Sequence, residues 1–167
     1  MLYGQGGSRG LDQMELVAYN SSGAELVAGD VVCVRPSESD WAELPGNDQI
    51  GLLSVEYYTA TDVEPMMVGV VTTGNAAGKQ VKVKFTGVMD AKFNSSTAAS
   101  GGSTVAVGEP LAASNLNGCF EFAARASQYV AFALEAATAH ATNVYTTATC
   151  PKIKVLMVQI GVHGLAQ

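Results

Sequence analysis

A chain of 167 residues, 48% hydrophobic and 14% charged, is long enough for one domain with a real core, and its charged fraction is well below the usual quarter. Its formal charge of −6 and pI near 4.7 leave only Lys79, Lys82, Lys84 and Lys92 as a basic group. No aromatic platform beyond Phe85 and Phe93 is interleaved with them, which argues against a nucleic-acid partner.

Residues 1–11 carry Gly4, Gly6, Gly7 and Gly10, which raise the entropic cost of ordering the segment. They read either as a disordered tail or as an N-terminal arm that orders only on a neighbour, with Leu2, Tyr3 and Leu11 as anchors. Gly4-Gln5-Gly6 has no strand before it and no helix after it, so it is not a nucleotide-binding turn. Residues 1–10 also lack the apolar stretch of a secretory signal, and no apolar run reaches the ~18 residues of a membrane span.

Residues 13–19 and 25–35 read as the first two strands. Asn20-Ser21-Ser22-Gly23 joins them with turn chemistry. Arg35-Pro36 ends the second. Residues 37–48 form an acidic insertion around Trp41, where Ser37 caps a short helical turn stopped by Pro45-Gly46-Asn47-Asp48. Residues 50–59 read as a further strand with Tyr57 and Tyr58 on opposite faces. Val68-Gly69-Val70-Val71-Thr72-Thr73 and the alternating Val81-Lys82-Val83-Lys84-Phe85-Thr86 are strands joined through Gly74-Asn75-Ala76-Ala77-Gly78. That link ends in Lys79 and superficially resembles a phosphate loop. It lacks a Ser or Thr after the lysine and is one residue short, so it reads as a hairpin connection.

Residues 94–103 are small and polar and predict an exposed mobile loop. Thr104-Val105-Ala106-Val107 predicts a β-segment ending at Gly108. Residues 120–141 are ambiguous: the alanines favour helix, yet Tyr129-Val130-Ala131-Phe132 is rich in β-formers, which places a strand at residues 128–134. Residues 142–149 and 152–160 read as the last strands. In the final one Ile153, Val155 and Met157 share one face, and Lys154, Leu156, Val158 and Ile160 the other. A strand apolar on both faces is central or lies at an interface.

The charge is segregated. Residues 1–64 hold eleven of the fifteen acids and two of the nine bases, a sum of −9; residues 65–167 sum to +3. Charge statistics bear on encounter and solubility, so the plain reading is two solvated faces; the sharper one is a bipolar subunit that docks head to tail or onto a lattice. Cys33, Cys119 and Cys150 are an odd count without a CxxC motif. Cys33 sits in an apolar strand as a small hydrophobe, so a reducing cytoplasm is the expected folding compartment.

Chemistry-bearing patterns are sparse. His140 and His163 have no further ligands at metal-binding spacing, and no Gly-x-Ser-x-Gly elbow occurs. Glu38, Asp40 and Glu43 crowd one loop, where solvation would leave them ordinary carboxylates. No catalytic residue, metal site or cofactor is expected. The reading is an all-β chain: a small β-barrel, a single domain over residues 12–167 behind the arm of residues 1–11, built to present a surface.

Several runs then carry a resemblance. Met67-Val68-Gly69-Val70-Val71, Ala76-Ala77-Gly78-Lys79-Gln80-Val81-Lys82-Val83 and Phe85-Thr86-Gly87-Val88-Met89 resemble the core of tailed-phage capsid decoration, or cement, proteins. So do Val105-Ala106-Val107-Gly108-Glu109-Pro110-Leu111 and Val130-Ala131-Phe132-Ala133-Leu134-Glu135-Ala136-Ala137. The resemblance covers about residues 66–160, with Ala28-Gly29-Asp30-Val31 as an N-terminal counterpart. It departs at Ala131-Phe132, where the family more often has Gly, and at the acidic insertion.

The resemblance implies a small β-barrel or β-tulip, a homotrimer on the outside of the phage head, assembled in the host cytoplasm. Its partner would be the major capsid protein, whose neighbouring subunits it bridges. Leu2, Tyr3, Arg9 and Leu11 are then the expected capsid contacts, Arg9 pairing with a capsid carboxylate. Leu156, Val158 and Ile160 are the expected trimer interface. Two other classes stay open: a small trimeric β-barrel enzyme subunit, marked by buried acids around a metal, and a phage tail, baseplate or sugar-binding β-module, marked by grouped exposed aromatics such as Trp41, Tyr57 and Tyr58.

Overall fold

The computed structural model describes residues 15–34, 53–59, 67–96, 103–123, 129–139 and 145–158. The described residues form ten strands and no helix. Five make a barrel: β1 (Glu15–Asn20), β2 (Val31–Val34), β3 (Leu53–Tyr57), β4 (Met67–Thr73) and β5 (Gln80–Lys84). Their order is β1-β3-β2-β4-β5, and β5 pairs back onto β1 to close it. Closure removes the open edges that otherwise invite aggregation. The remaining five, β6 (Gly87–Lys92), β7 (Pro110–Ala113), β8 (Phe120–Phe122), β9 (Ala131–Ala133) and β10 (Lys152–Met157), form a second sheet in the order β6-β10-β9-β7-β8. The β1–β3 pair is parallel and every other strand pair is antiparallel.

Side-chain alternation decides which face goes where. In β5, Val81 and Val83 point into the barrel while Gln80 and Lys82 stay exposed, as a half-buried strand requires. In β2 all four residues are buried. Val32 and Val34 fill the barrel with Val55, Val71 and Phe85, whereas Val31 and Cys33 pack outward with Val68 and Val70 against the second sheet. That sheet answers with Met89, Ala91, Phe93, Leu111, Phe120, Ile153 and Val155. The continuous run Val31-Val32-Cys33-Val34 is therefore a strand covered on both faces. Gly69 has a similar cause: a Cβ there would meet Val83 Cγ1 at 2.6 Å and the Phe85 ring at 2.9 Å.

Several expectations hold. Tyr58 is buried on the inter-sheet side while Tyr57 packs against the barrel core, so the two do lie on opposite faces. Gly74 to Gly78 does connect an antiparallel pair, with a register shift between Val71 and Thr73. Within the strand expected at residues 128–134, Ala131–Ala133 form β9, and β10 is central, flanked by β6 and β9.

Others are corrected. Residues 25–35 are not one strand: Leu26 makes a single bridge to Asn75, and the chain then turns before β2. Asp30 closes that turn, its N–H donating to Val27 O at 3.0 Å while its carboxylate accepts from Val27 N–H at 2.7 Å. Thr104 to Val107 contributes one bridge, Val105 to Ala137, rather than a strand. Residues 145–149 are a turn, closed by Thr149 and Cys150 N–H groups on Thr146 O. At the start of the loop expected over residues 94–103, Asn94, Ser95 and Ser96 are buried rather than exposed, while residues 97–102 lie outside the described residues. Asn94 Nδ2 donates to Ser114 Oγ at 2.9 Å, and its backbone N–H to Phe120 O at 2.7 Å. Small polar residues suit a tight internal turn as well as a solvated loop. The acidic insertion and the helical turn at Ser37 lie outside the described residues.

Candidate functional surface

A buried polar joint fixes the two sheets relative to each other. Asp30, fully buried at the mouth of β2, pairs with Lys92, 2% exposed at the end of β6. The backbone repeats the link: Lys92 N–H donates to Gly29 O at 2.9 Å and Val31 N–H to Gly118 O at 2.9 Å, while within the barrel Val71 N–H donates to Asp30 O at 2.9 Å. Gly118 has φ +72, and a Cβ there would meet the Tyr57 ring at 2.5 Å; only glycine reaches this conformation without strain. Lys92 is thus no part of a surface basic group, which corrects the grouping with Lys79, Lys82 and Lys84. Burial and the nearby Asp30, Cys119 and Glu25 push the Tyr57 phenol up to about 12, while its hydroxyl donates to Glu25 O at 2.9 Å. Burial likewise raises Tyr58 to about 12, with Cys33 adding to the rise and a backbone hydrogen bond at Ala113 opposing it.

The outward face of the second sheet is divided in two. Register places Val88 opposite Leu156, Leu156 opposite Phe132, and Phe132 opposite Pro110. This apolar row crosses four strands on the side away from the core. Val88 is 51% exposed, and the rest are half-buried. Tyr129, 41% exposed, packs a tilted ring on Phe132 at 5.4 Å. One repeat further along β10 the face becomes charged: Lys154 pairs with Asp90 at 3.2 Å and Glu135 at 3.8 Å. An exposed apolar row bordered by charge is the composition of an interaction surface.

Of the residues singled out from sequence, Leu156 falls in this row and Val158 follows just beyond β10, both half-buried. Leu2, Tyr3, Arg9, Leu11, Ile160, His140, His163, Glu38, Asp40, Glu43 and Trp41 lie outside the described residues. Tyr57 and Tyr58 are built into the barrel–sheet joint and do not form an exposed aromatic group. Among the described residues no cluster of three or more His, Cys, Asp or Glu side chains has the geometry to hold a metal. Val88, Phe132 and Tyr129 were not singled out from sequence. The signal for Val88 was the alternation Gly87-Val88-Met89-Asp90, whose outward positions are Val88 and Asp90.

Comparison with known proteins places this architecture. The profile of the family described as phage cement protein matches residues 12–148. The chain belongs to the phage cement protein family. Among solved structures, this cement-family chain is similar to the head fiber gp8.5 N base in bacteriophage phi29. The TM-score is 0.52 at 12% identity, covering 88% of this chain and 95% of that one; at that identity the likeness concerns the fold. A search of curated proteins finds no match. The cement-family chain is thus a phage capsid structural protein with a closed five-stranded barrel.

Proposed function

We propose that this protein sits on the outer surface of the phage head and cements neighbouring major capsid subunits, stabilising the expanded shell without any catalytic activity. Family membership over residues 12–148 carries the reading. The physical mechanism is linkage: a protein that binds only the assembled lattice shifts the equilibrium towards it. Residues 1–11 act as a clamp, and residues 12–167 as the body that presents it.

The body assembles as a homotrimer through the outward row that includes Val88, Leu156 and Phe132. Burying that row would remove an exposed apolar strip from water, and a specific interface needs about 1,200 Å² in total. Three linked arms then bind at high effective concentration, so each contact can be modest. The test is to add purified protein to heads stripped of it. Saturable binding with a raised temperature of head disruption is expected; heads that bind none of it, or bind it with unchanged stability, would refute cementing.

A further inference from the structure

The second sheet repeats the barrel. We propose that the chain is a tandem pair of one five-stranded unit, and that the outward apolar row of the second unit is the docking face for a second copy of this chain, which it meets end-on through that copy's first unit.

The repeat is written in the pairing. In the barrel Val31 lies opposite Val70 and Val32 opposite Gly69; in the second sheet Pro110 lies opposite Phe132 and Leu111 opposite Ala131. Tyr19 opposite Gln80 returns as Lys92 opposite Lys152, and Cys33 opposite Glu56 as Ala112 opposite Glu121. The parallel contact of Asn20 with Val55 between β1 and β3 has its counterpart too, the parallel bridge from Phe93, at the end of β6, to Phe120 in β8. The entry turns match as well. Gly29 and Gly108 take φ +95 and +86. The carboxylates of Asp30 and Glu109 accept from the Val27 and Ala106 N–H groups, each at 2.7 Å. One unit therefore runs from β1 to β5, and β6 to β10 repeat it strand for strand.

Repeat units bury their faces on their neighbours, and the first unit does so inside the chain. Its outer β2–β4 face, Val31, Cys33, Val68 and Val70, is buried in one cluster with second-unit residues. The second unit meets it with one end. Gly118 O accepts from Val31 N–H at 2.9 Å, and Gly118 N–H donates to Tyr58 O at 3.1 Å. Lys92 pairs with Asp30, and the Lys152 side chain lies against Gly29. The second unit's own copy of that face is the outward row. Pro110 and Phe132, which stand where Val31 and Val70 do, are half-buried, and Tyr129 stacked on Phe132 is 41% exposed. Glu109, at the place of Asp30, has no ion pair among the described residues.

The matching end is on the first unit. Tyr19 and Gln80 stand where Lys92 and Lys152 do, and Leu53 where Gly118 does; Gln80 is exposed and the other two are half-buried. The first unit turns its face, not this end, towards the second, so another copy must supply the end. Charge favours the match, because residues 1–64 sum to −9 and residues 65–167 to +3, and unlike halves attract where like halves repel. A contact between two different surfaces closes into a ring where its rotation allows; that three copies close it rests on the trimer reading above.

The experiment uses the full-length protein without heads, so its outcome is separate from head binding. Copies carrying photoreactive benzoylphenylalanine in place of Tyr129 are mixed with isotope-labelled copies and irradiated. Expected are links between copies from residue 129 to the end around Tyr19, Leu53 and Gln80. Gln80→Lys, which puts a cation where Lys152 stands and so beside Glu109, should tighten self-association by at most about fivefold, and Gln80→Glu should loosen it by as much. Leu53→Asp and Tyr129→Asp should each be monomeric alone yet form dimers when mixed, because one keeps the face and the other the end. Links from residue 129 to Phe132 or Leu156 of another copy, or no links within a trimer, would overturn the proposal while leaving the trimer standing. A folded wild-type monomer would overturn both, and the assay on stripped heads would then decide cementing alone. The cross-link map decides even where an aspartate variant fails to fold.

Discussion

At the scale of single residues, the Asp30–Lys92 pair has the largest expected consequence. Two charges taken out of water stabilise little by themselves, but removing one leaves the other buried without compensation, at a cost of about 3–5 kcal/mol. Lys92→Met should therefore lower stability by that amount in urea unfolding, whereas Asp30→Leu combined with Lys92→Met should recover part of it. A double variant no better than the single one would contradict this account. Gly69→Ala should cost about 1–3 kcal/mol, since Val83 and Phe85 must move aside in a packed barrel. The tyrosines set an alkaline limit. Tyr57 and Tyr58 titrate near 12 in the fold against 10 for the ordinary phenol, so the folded state holds those protons more tightly. Their contribution is fully present below pH 10 and is lost as pH rises towards 12, with the unfolded chain releasing protons first. Melting temperatures across that window, alongside spectroscopic tyrosinate titration, should show the fall. A flat profile would mean the phenols are not withheld from water.

At the scale of elements, β10 is the strand that organises the second sheet. Its inward residues Ile153, Val155 and Met157 are core, and its outward residues change from Lys152 and Lys154 to Leu156. The pairing Leu156 to Val88 extends the apolar end to the sheet's edge strand β6. Val88 is the cleaner probe of assembly, because at 51% exposed its replacement leaves the core untouched. Val88→Asp should change the unfolding free energy by no more than about 0.5 kcal/mol. It should shift the sedimentation profile from trimer to monomer at micromolar concentration. Leu156→Asp should do the same with an added stability loss, since Leu156 is half-buried. A wild-type protein that is already a folded monomer would remove the trimer from the proposal.

At the scale of the whole molecule, the proposed function divides the work between a two-sheet body and residues 1–11 as an arm. An arm of about ten residues spans roughly 33 Å when extended, enough to reach a neighbouring subunit and add a strand to an exposed sheet edge. Ordering it costs about 1–2 kcal/mol per residue, which three arms on the proposed trimer would offset jointly. Deleting residues 2–10 should leave the thermal transition of the body nearly unchanged while sharply weakening attachment to heads. Unaltered affinity would move the clamp to the loops. His140→Ala, His163→Ala and Glu38→Gln should leave head binding intact; loss of binding, or a hydrolytic activity that disappears with one of them, would overturn the non-enzymatic reading.

The amino-acid sequence by itself determined the class. Alternation in Val81-Lys82-Val83, the Gly74–Gly78 turn and the β-formers at Tyr129-Val130-Ala131-Phe132 are local signals, and strands formed at them, β9 shortened to Ala131–Ala133. The small-residue runs pointed to the cement family before any coordinates. Tertiary structure decided what each polar or small residue was for. Lys92 counted as surface charge until Asp30, 62 positions away, met it in the interior. Asn94-Ser95-Ser96 has the composition of a loop, yet Ser114 and Phe120 bury it. Short strands such as β7 and β8 carry too few residues for a period to show, and pairing with neighbours supplies their order. Local alternation is written in consecutive residues; burial and ion pairing depend on contacts between distant ones, which the closed barrel and its second sheet alone create.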